Sequence, residues 1–593
     1  MPSPKNNPFS RWFKRTRSAS SKPVASSREK REKRFFQTLH AGRTFPALTK
    51  WRFLPLVLNK KERTLFWCAL CLLVVSVFAL LISWYVSHVA LGSSRGGTYT
   101  EGVIGTPQFV NPLYAQGNDI DQDLVRLVYT GLMQWHPTEG LVTDLAESYT
   151  ISDDERVYAF TLRDDALWHD GTPVTIRDVI FTFNAIQNPE YKSSLHSAFR
   201  GVTIEQIDDR SVAFTLSEPF APFLAALTVG ILPAEYWGDL DPTTARLAER
   251  NLTPMGSGPY AVLEFTKDKR GAIQSYTLER FEDFYGGEPN IDTIEFKMYE
   301  SLPELLLALK NHNVEGAAFV PKSRVDEFSS APYQLINPHL PQVTALFFNV
   351  KHEYVEDARV RQALSAALDK DVIVETVLKG HGTVAHSLLL PDSVESPLEN
   401  PLGYSPDKAR TLLEEVGFDD ETHLPITLTT VDQEETVLAA NSIADMWRAV
   451  GVDVTVKAVD PARLREEVLK DRSYDILLSG TLYGIDPDPY PFWHSSQATH
   501  PGLNLSQYAN RDVDKAIEKA RTLSDVNERQ GLYREVATTV NASLPAIFLY
   551  QPTYSYVTSS RIRGINIDSI VIPADRFGQV HEWYIKTRRQ FYW

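Results

Sequence analysis

From Leu65 to Val86 the chain reads LFWCALCLLVVSVFALLISWYV, 22 residues without one charged side chain. At about 1.5 Å of rise per helical residue, this run spans the ~30 Å hydrocarbon core of a bilayer. A helix apolar on every side has no place on the surface of a soluble domain, so a membrane anchor is predicted over 64–91. Trp67 near one end, and Trp84 with Tyr85 near the other, suit interfacial aromatic belts. Lys60, Lys61 and Arg63 flank the run on its N-terminal side, so the positive-inside rule keeps 1–63 cytoplasmic and exports the rest. A cleaved signal peptide fits less well. The apolar run is too long, the basic leader is several times the usual length, and SHVALGSSRGG offers only a weak cleavage site. Cys68 and Cys71 both lie inside the run, so the exported part contains neither disulfides nor a thiolate metal site.

Charge is distributed to match. Residues 1–63 carry 17 Lys/Arg against three acids, whereas the remainder carries 43 basic and 72 acidic side chains. A body that acidic repels phosphate, which excludes nucleic acid as a partner. The Ser/Lys/Arg-rich leader is too polar for a core of its own. The mixed basic and apolar stretch from Phe35 to Arg63 suits the inner membrane surface, or a plain tether.

From Gly96 to Trp593 there is no low-complexity tract, short repeat or obvious flexible linker, which favours interwoven lobes over separate beads. Period-two alternation predicts strands at 157–163, 211–216 and 274–279. Helices are predicted from Asp357 to Asp369, after the Ser405-Pro406 cap as far as Gly417, and from Asn441 to Val450, with a strand at Val452–Val456. Helix and strand in turn mark an α/β lobe. In Trp168-His-Asp-Gly-Thr-Pro173, Asp-Gly makes a turn, Thr172 or Thr175 caps the helix near Ile176, and His169 is a hydrogen-bonded turn histidine. Arg359 and Arg361 flank a helix start and are expected to pair with surface acids.

Several ordered blocks carry a resemblance. They are Phe109-Val-Asn-Pro-Leu-Tyr114, Leu127-Val-Tyr-Thr-Gly-Leu-Met133, TLRDDALWHDGTPVTIRDVIFTF from Thr161, and Gly256-Ser-Gly-Pro-Tyr260. Arg280-Phe-Glu-Asp-Phe-Tyr285, Arg359-Val-Arg-Gln-Ala-Leu364 and Asp486-Pro-Asp-Pro-Tyr-Pro-Phe-Trp493 follow in the same order. Together they resemble the extracytoplasmic solute-binding proteins of the peptide/nickel class that serve ABC importers. The resemblance implies a two-lobe, type II periplasmic-binding-protein-like α/β fold, with an extra subdomain, behind a single N-terminal transmembrane helix. Lobe I would be 97–342 plus 549–593 with its subdomain at about 130–250, and lobe II 343–548. The apolar segments Thr344–Asn349 and Pro545–Tyr550 would lie at the two crossings. A small peptide or peptide-like ligand would be enclosed between the lobes and passed to ABC permease subunits by a monomer. Neither cofactor nor metal is implied.

The ligand-binding residues expected are Tyr114, Gly480, Tyr483, Asp486, Asp488, Tyr490 and Trp493. Most lie in GTLYGIDPDPYPFWH, a Pro-stiffened loop at the C-terminal end of a strand, where open α/β sheets bind ligands. Tyr483, Tyr490 and Trp493 offer faces for stacking, although Phe492 and Trp493 serve equally well as lobe core. Peptide binders of this class place an acid four residues before the loop's Pro to hold the ligand's amine. Here that position is Tyr483, which leaves Asp486 or Asp488 to take the ammonium, or else a glycan or another ligand without an amine. His381 and His386 could meet over a metal chelate. No catalytic residue is predicted: the body lacks G-x-S-x-G, H-E-x-x-H, P-loop and G-x-G-x-x-G motifs, and its histidines are scattered. A membrane-anchored hydrolase or a sensory ectodomain is the rival class.

Overall fold

The computed structural model describes residues 59–391, 403–419 and 421–591, with Lys33 and Gln37 alone before them. The expected leader, and the stretch from Phe35 to the helix, otherwise lie outside the described residues. The chain forms two units, one of residues 1–92 with 589–593 and one of 93–588.

In the first unit a helix runs from Lys60 to His88, and its apolar side chains from Leu65 to Tyr85 are largely exposed. The expected anchor ended at 91. The helix stops three residues earlier, and the backbone is extended from Val89, just before Gly92, Gly96 and Gly97.

The second unit is built on two mixed sheets. The seven-stranded sheet has the order Tyr333–Ile336, Tyr556–Ser559, Gly316–Ala317, Thr98–Ile104, Thr293–Tyr299, Ile273–Arg280, Tyr260–Lys267. The six-stranded sheet has the order Gly382–Val384, Ala546–Pro552, Gln342–Phe348, Ile476–Leu482, Leu424–Val431, Val452–Val459. Leu424–Val431 and Val452–Val459 pair in parallel and are joined by the helix Glu434–Arg448, a βαβ unit. A separate antiparallel sheet (Ala146–Ile151, Val157–Leu162, Ser211–Thr215, Thr203–Gln206) carries two of the three strands foreseen from alternation, and the third is Ile273–Arg280 of the seven-stranded sheet. The helix foreseen from Asp357 to Asp369 ends at Ala366, and Asp369 caps a second helix, Lys370–Val377.

The chain crosses between the two large sheets twice, at 337–341 and at 553–555. The apolar segments Thr344–Asn349 and Pro545–Tyr550 lie beyond these crossings, within or beside paired strands of the six-stranded sheet. A break at 548/549 would cut the continuous strand Ala546–Pro552. That strand and Gln342–Phe348 are buried almost throughout, because helices cover both faces of the sheet. Alternation sends Leu346 and Phe348 into the core around Trp447, and Val343, Ala345 and Phe347 into the core around Tyr483 and Trp493.

Gly256 and Gly258 mark a chain crossing. The Gly258 N–H donates to Val128 O at 2.8 Å, at the end of the helix Asp119–Val128. His169 clamps the same turn. Its Nδ1 accepts the Gly256 N–H at 3.3 Å and its Nε2–H donates to Gly258 O at 3.0 Å, which assigns the tautomer. Burial holds this imidazole neutral, with its pKa lowered to about 4. A Cβ at Gly256 would come within 1.9 Å of Val128 O, so backbone must move to admit one. Gly256→Ala is therefore expected to destabilise the protein by about 1–3 kcal/mol, read as a lower Tm in a thermal melt.

Arg359 pairs with Asp357 at 2.6 Å, as a surface arginine should. Arg361 does not join it. It is buried and donates to the carbonyls of Val355, Glu356, Ser543 and Leu544, tying the end of the helix Val526–Ser543 to its neighbour.

Candidate ligand-binding cleft

The Pro-rich loop leaves the strand Ile476–Leu482 beside the first crossing, where the Tyr483 N–H donates to Pro341 O at 2.7 Å. Its next turns are held from the side by two helices, Arg511–Arg521 and Val526–Ser543. Asp486 pairs with Arg529 at 3.2 Å, and Asp488 with Arg521 at 3.0 Å. Asp488 also accepts the Tyr490 N–H at 3.0 Å, which starts the single helical turn Tyr490–Trp493. Burial pushes both carboxyls above the ordinary aspartate range, and the two arginines pull against that shift. The Arg521 guanidinium lies 4.1 Å from the centre of the Tyr490 ring and 4.9 Å from that of Phe220.

Phe220 belongs to the segment after the four-stranded sheet, and the contact continues along the chain. The Ala221 N–H donates to Arg521 O at 2.9 Å, and the Ser524 N–H to the Glu155 carboxylate at 3.2 Å. The subdomain therefore meets the second lobe through one arginine-centred joint.

Two cavities flank this joint. One, of about 330 Å³, is walled by Gln116, Arg126, Tyr129, Trp135 and Asp575 from the first lobe and closed by Ile485 from the loop. Arg126 donates to Trp135 O at 3.2 Å and stands 3.9 Å from Asp575, whose carboxylate also accepts the N–H groups of Val571 and Ile572. The other, of about 490 Å³, lies between the subdomain and the helix Arg511–Arg521, with Arg200, Glu218, Tyr490, Glu518 and Arg521 on its walls.

The expected site residues are divided by this geometry. Asp486, Asp488 and Tyr490 are brought together around the two arginines. Tyr483 and Trp493 are 2% and 1% exposed, and offer no free face. Trp493 lies between Phe347 and Phe548, with ring centres 6.2 and 5.7 Å away, and Tyr483 meets the edge of Phe492 at 5.2 Å. At Gly480 the space for a Cβ is taken by the Gln342 side chain. Tyr114 faces away from the cleft cavity. It packs on Phe109 beside Arg246 over a separate hollow, while its neighbours Ala115 and Gln116 line the cleft. Ile485, Trp135, Arg126 and Asp575 were not foreseen. They converge from positions up to 449 apart in the chain, with no local pattern to join them.

Two lobes joined by two crossings, with a cavity lined from both sides, are the architecture of a cleft-type binding protein. Residues 140–502 match the bacterial extracellular solute-binding proteins, family 5 Middle, and the chain belongs to that family. The Escherichia coli dipeptide-binding protein is 26% identical over 500 residues, 79% of this chain and 91% of the relative. Among solved structures, the ABC transporter substrate-binding protein CtaP of Listeria monocytogenes has a TM-score of 0.74 at 26% identity, covering 83% of this chain and all of that one. The Bacillus subtilis oligopeptide-binding protein AppA, solved with a nonapeptide, has a TM-score of 0.68 at 25% identity over 83% of this chain and all of that one. The fold is thus the type II, two-lobe α/β arrangement of solute-binding proteins.

Proposed function

We propose that this protein captures peptides outside the cell membrane and hands them to the permease of an ABC importer, acting as a monomer and without chemical turnover. The observation that carries this reading is the cavity lined by Ile485 of one lobe and by Gln116, Trp135 and Arg126 of the other, close to the crossing that ends at Pro341. Its relatives include proteins named for dipeptide and oligopeptide binding. In this reading lobe I comprises 97–342 with the C-terminal tail and with 130–250 as its subdomain, and the break after lobe II falls at 553–555. The ligand contacts are Gln116, Trp135, Ile485 and Tyr490, with Asp486 and Asp488 shaping the loop and Tyr483 and Trp493 supporting it from within. The helix Lys60–His88 tethers the protein with its basic N-terminal segment in the cytoplasm, so that capture takes place beside the permease.

The test is native mass spectrometry of the full chain purified in detergent, followed by a melt with the ligand that it releases. The expected result is intact peptides that raise Tm in a saturable way. Release of a glycan or metal chelate, or steady hydrolysis of the peptides, would overturn the reading.

A further inference from the structure

A peptide with free ends brings an ammonium and a carboxylate into the cleft, and each is costly to bury without an opposite charge. Among the described residues, the buried charges of the cleft come in pairs of opposite sign. In the smaller cavity the charged wall residues are Arg126 and Asp575, 3.9 Å apart; Arg126 also donates to Trp135 O, and Asp575 accepts the N–H groups of Val571 and Ile572. In the loop, Asp486 pairs with Arg529 through one oxygen, its other oxygen being buried without a hydrogen-bond partner, and Asp488 pairs with Arg521. In the larger cavity Glu518 lies 3.2 Å from His494, while Arg200 and Glu218 are exposed to solvent, where screening makes them poor clamps. Each buried pair sums to zero. What the smaller cavity offers is neutral: the Trp135 indole N–H, buried without an acceptor, and the Gln122 amide.

Resting on the peptide reading above, we propose that the cleft takes no charge from either end of its ligand and holds uncharged peptide backbone. Its ligands are then internal stretches of longer peptides, or short peptides with blocked ends. Binding comes from backbone hydrogen bonds and burial of side chains, as in an apolar pocket with a few neutral polar groups.

The test is calorimetry on the full chain with mixed-sequence tripeptide and nonapeptide pools, each prepared with free ends and as the N-acetyl, C-amide form. Affinities within about threefold between free and blocked forms are expected. Binding of blocked tripeptides points to end-blocked ligands, and binding by nonapeptides alone, in both forms, points to internal stretches. A loss of tenfold or more on blocking, about 1.4 kcal/mol, overturns the proposal. Failure of all four pools removes the peptide reading itself, and this proposal with it, and is distinct from a selective loss. A second arm uses the double variant Asp486→Asn, Asp488→Asn. Free and blocked peptides should change by the same factor, and a loss confined to free-ended peptides would show that these acids hold the amine.

Discussion

Replacing Arg576 with methionine is expected to lower the unfolding free energy by about 3–5 kcal/mol in urea melts, because it strands two buried carboxylates. Arg576 is fully buried. It donates to both oxygens of Asp123, one at 2.6 Å, and to Glu101 at 3.2 Å. Glu101 also receives the hydroxyls of Tyr99 and Tyr556. One cation thus serves two acids, and ionising both would leave the cluster one negative charge in excess. Burial dominates at Glu101 and raises its pKa from the usual carboxylate range to about 7, even with Arg576 opposing. Such an acid keeps its proton in the folded state after the unfolded chain has lost it. Its contribution to stability is therefore present below the ordinary pKa and is lost as pH rises through about 7. Glu101→Gln preserves the shape and removes the titration, so its stability relative to the parent should rise between about pH 4.5 and pH 7. A flat profile over that range would mean that Glu101 is ionised throughout. The effect reaches the cleft. Arg576 lies in the turn Pro573–Phe577, and its neighbour Asp575 faces Arg126 across the cavity wall, so Arg576→Met should also abolish ligand binding.

The parts of this molecule that could be read in its sequence are those written in local pattern. The uncharged run from Leu65 to Val86 announced the apolar helix Lys60–His88, and period-two alternation located Val157–Leu162, Ser211–Thr215 and Ile273–Arg280 within a residue or two of their ends. Ser405 and Asp357 announced their helices as caps, and both accept the expected backbone N–H. Order of blocks, rather than any one of them, pointed to the family. What could not be read is pairing across distance. Arg361 is written like Arg359, two residues away, yet one reaches solvent and the other four carbonyls. Asp486 and Asp488 look like free ligands for an ammonium until Arg529 and Arg521 are placed beside them by a helical hairpin some forty residues on. Tyr114 and Gln116 differ in sequence by two positions but stand on opposite sides of their segment. The aromatics of the loop were ambiguous for the same reason, since a tryptophan that supports a site and one that lines it are written alike.

Trp493→Ala and Arg521→Ala should separate those two roles. Trp493 fills the space between the sheet residues Phe347 and Phe548 and is 1% exposed, so its removal leaves a cavity under the loop. Truncating a buried tryptophan costs about 3–5 kcal/mol, and urea melts of Trp493→Ala should show a loss of that size together with weakened binding. Trp493→Phe keeps most of the packing and should lose under about 1.5 kcal/mol while binding nearly normally. If Trp493 were instead a face on which the ligand stacks, both variants would bind poorly and neither would be much destabilised. Arg521 behaves in the opposite sense. Its side chain is 28% exposed, so its charge adds little to global stability. It nevertheless joins Asp488 and Tyr490 of the loop to Phe220 of the subdomain, across the boundary that must close on a ligand. Without it Asp488 keeps the Tyr490 N–H and the attraction of Arg529, and the loop loses its stacking partner. Arg521→Ala should leave the urea midpoint within about 1 kcal/mol of the parent and weaken ligand binding by about tenfold, mainly through faster dissociation. Arg521→Lys keeps the charge but not the planar face that stacks on Tyr490 and Phe220, and should recover only part of that loss. Full recovery by lysine would assign the whole effect to the charge on Asp488, and an unchanged affinity in Arg521→Ala would remove this joint from the mechanism of closure.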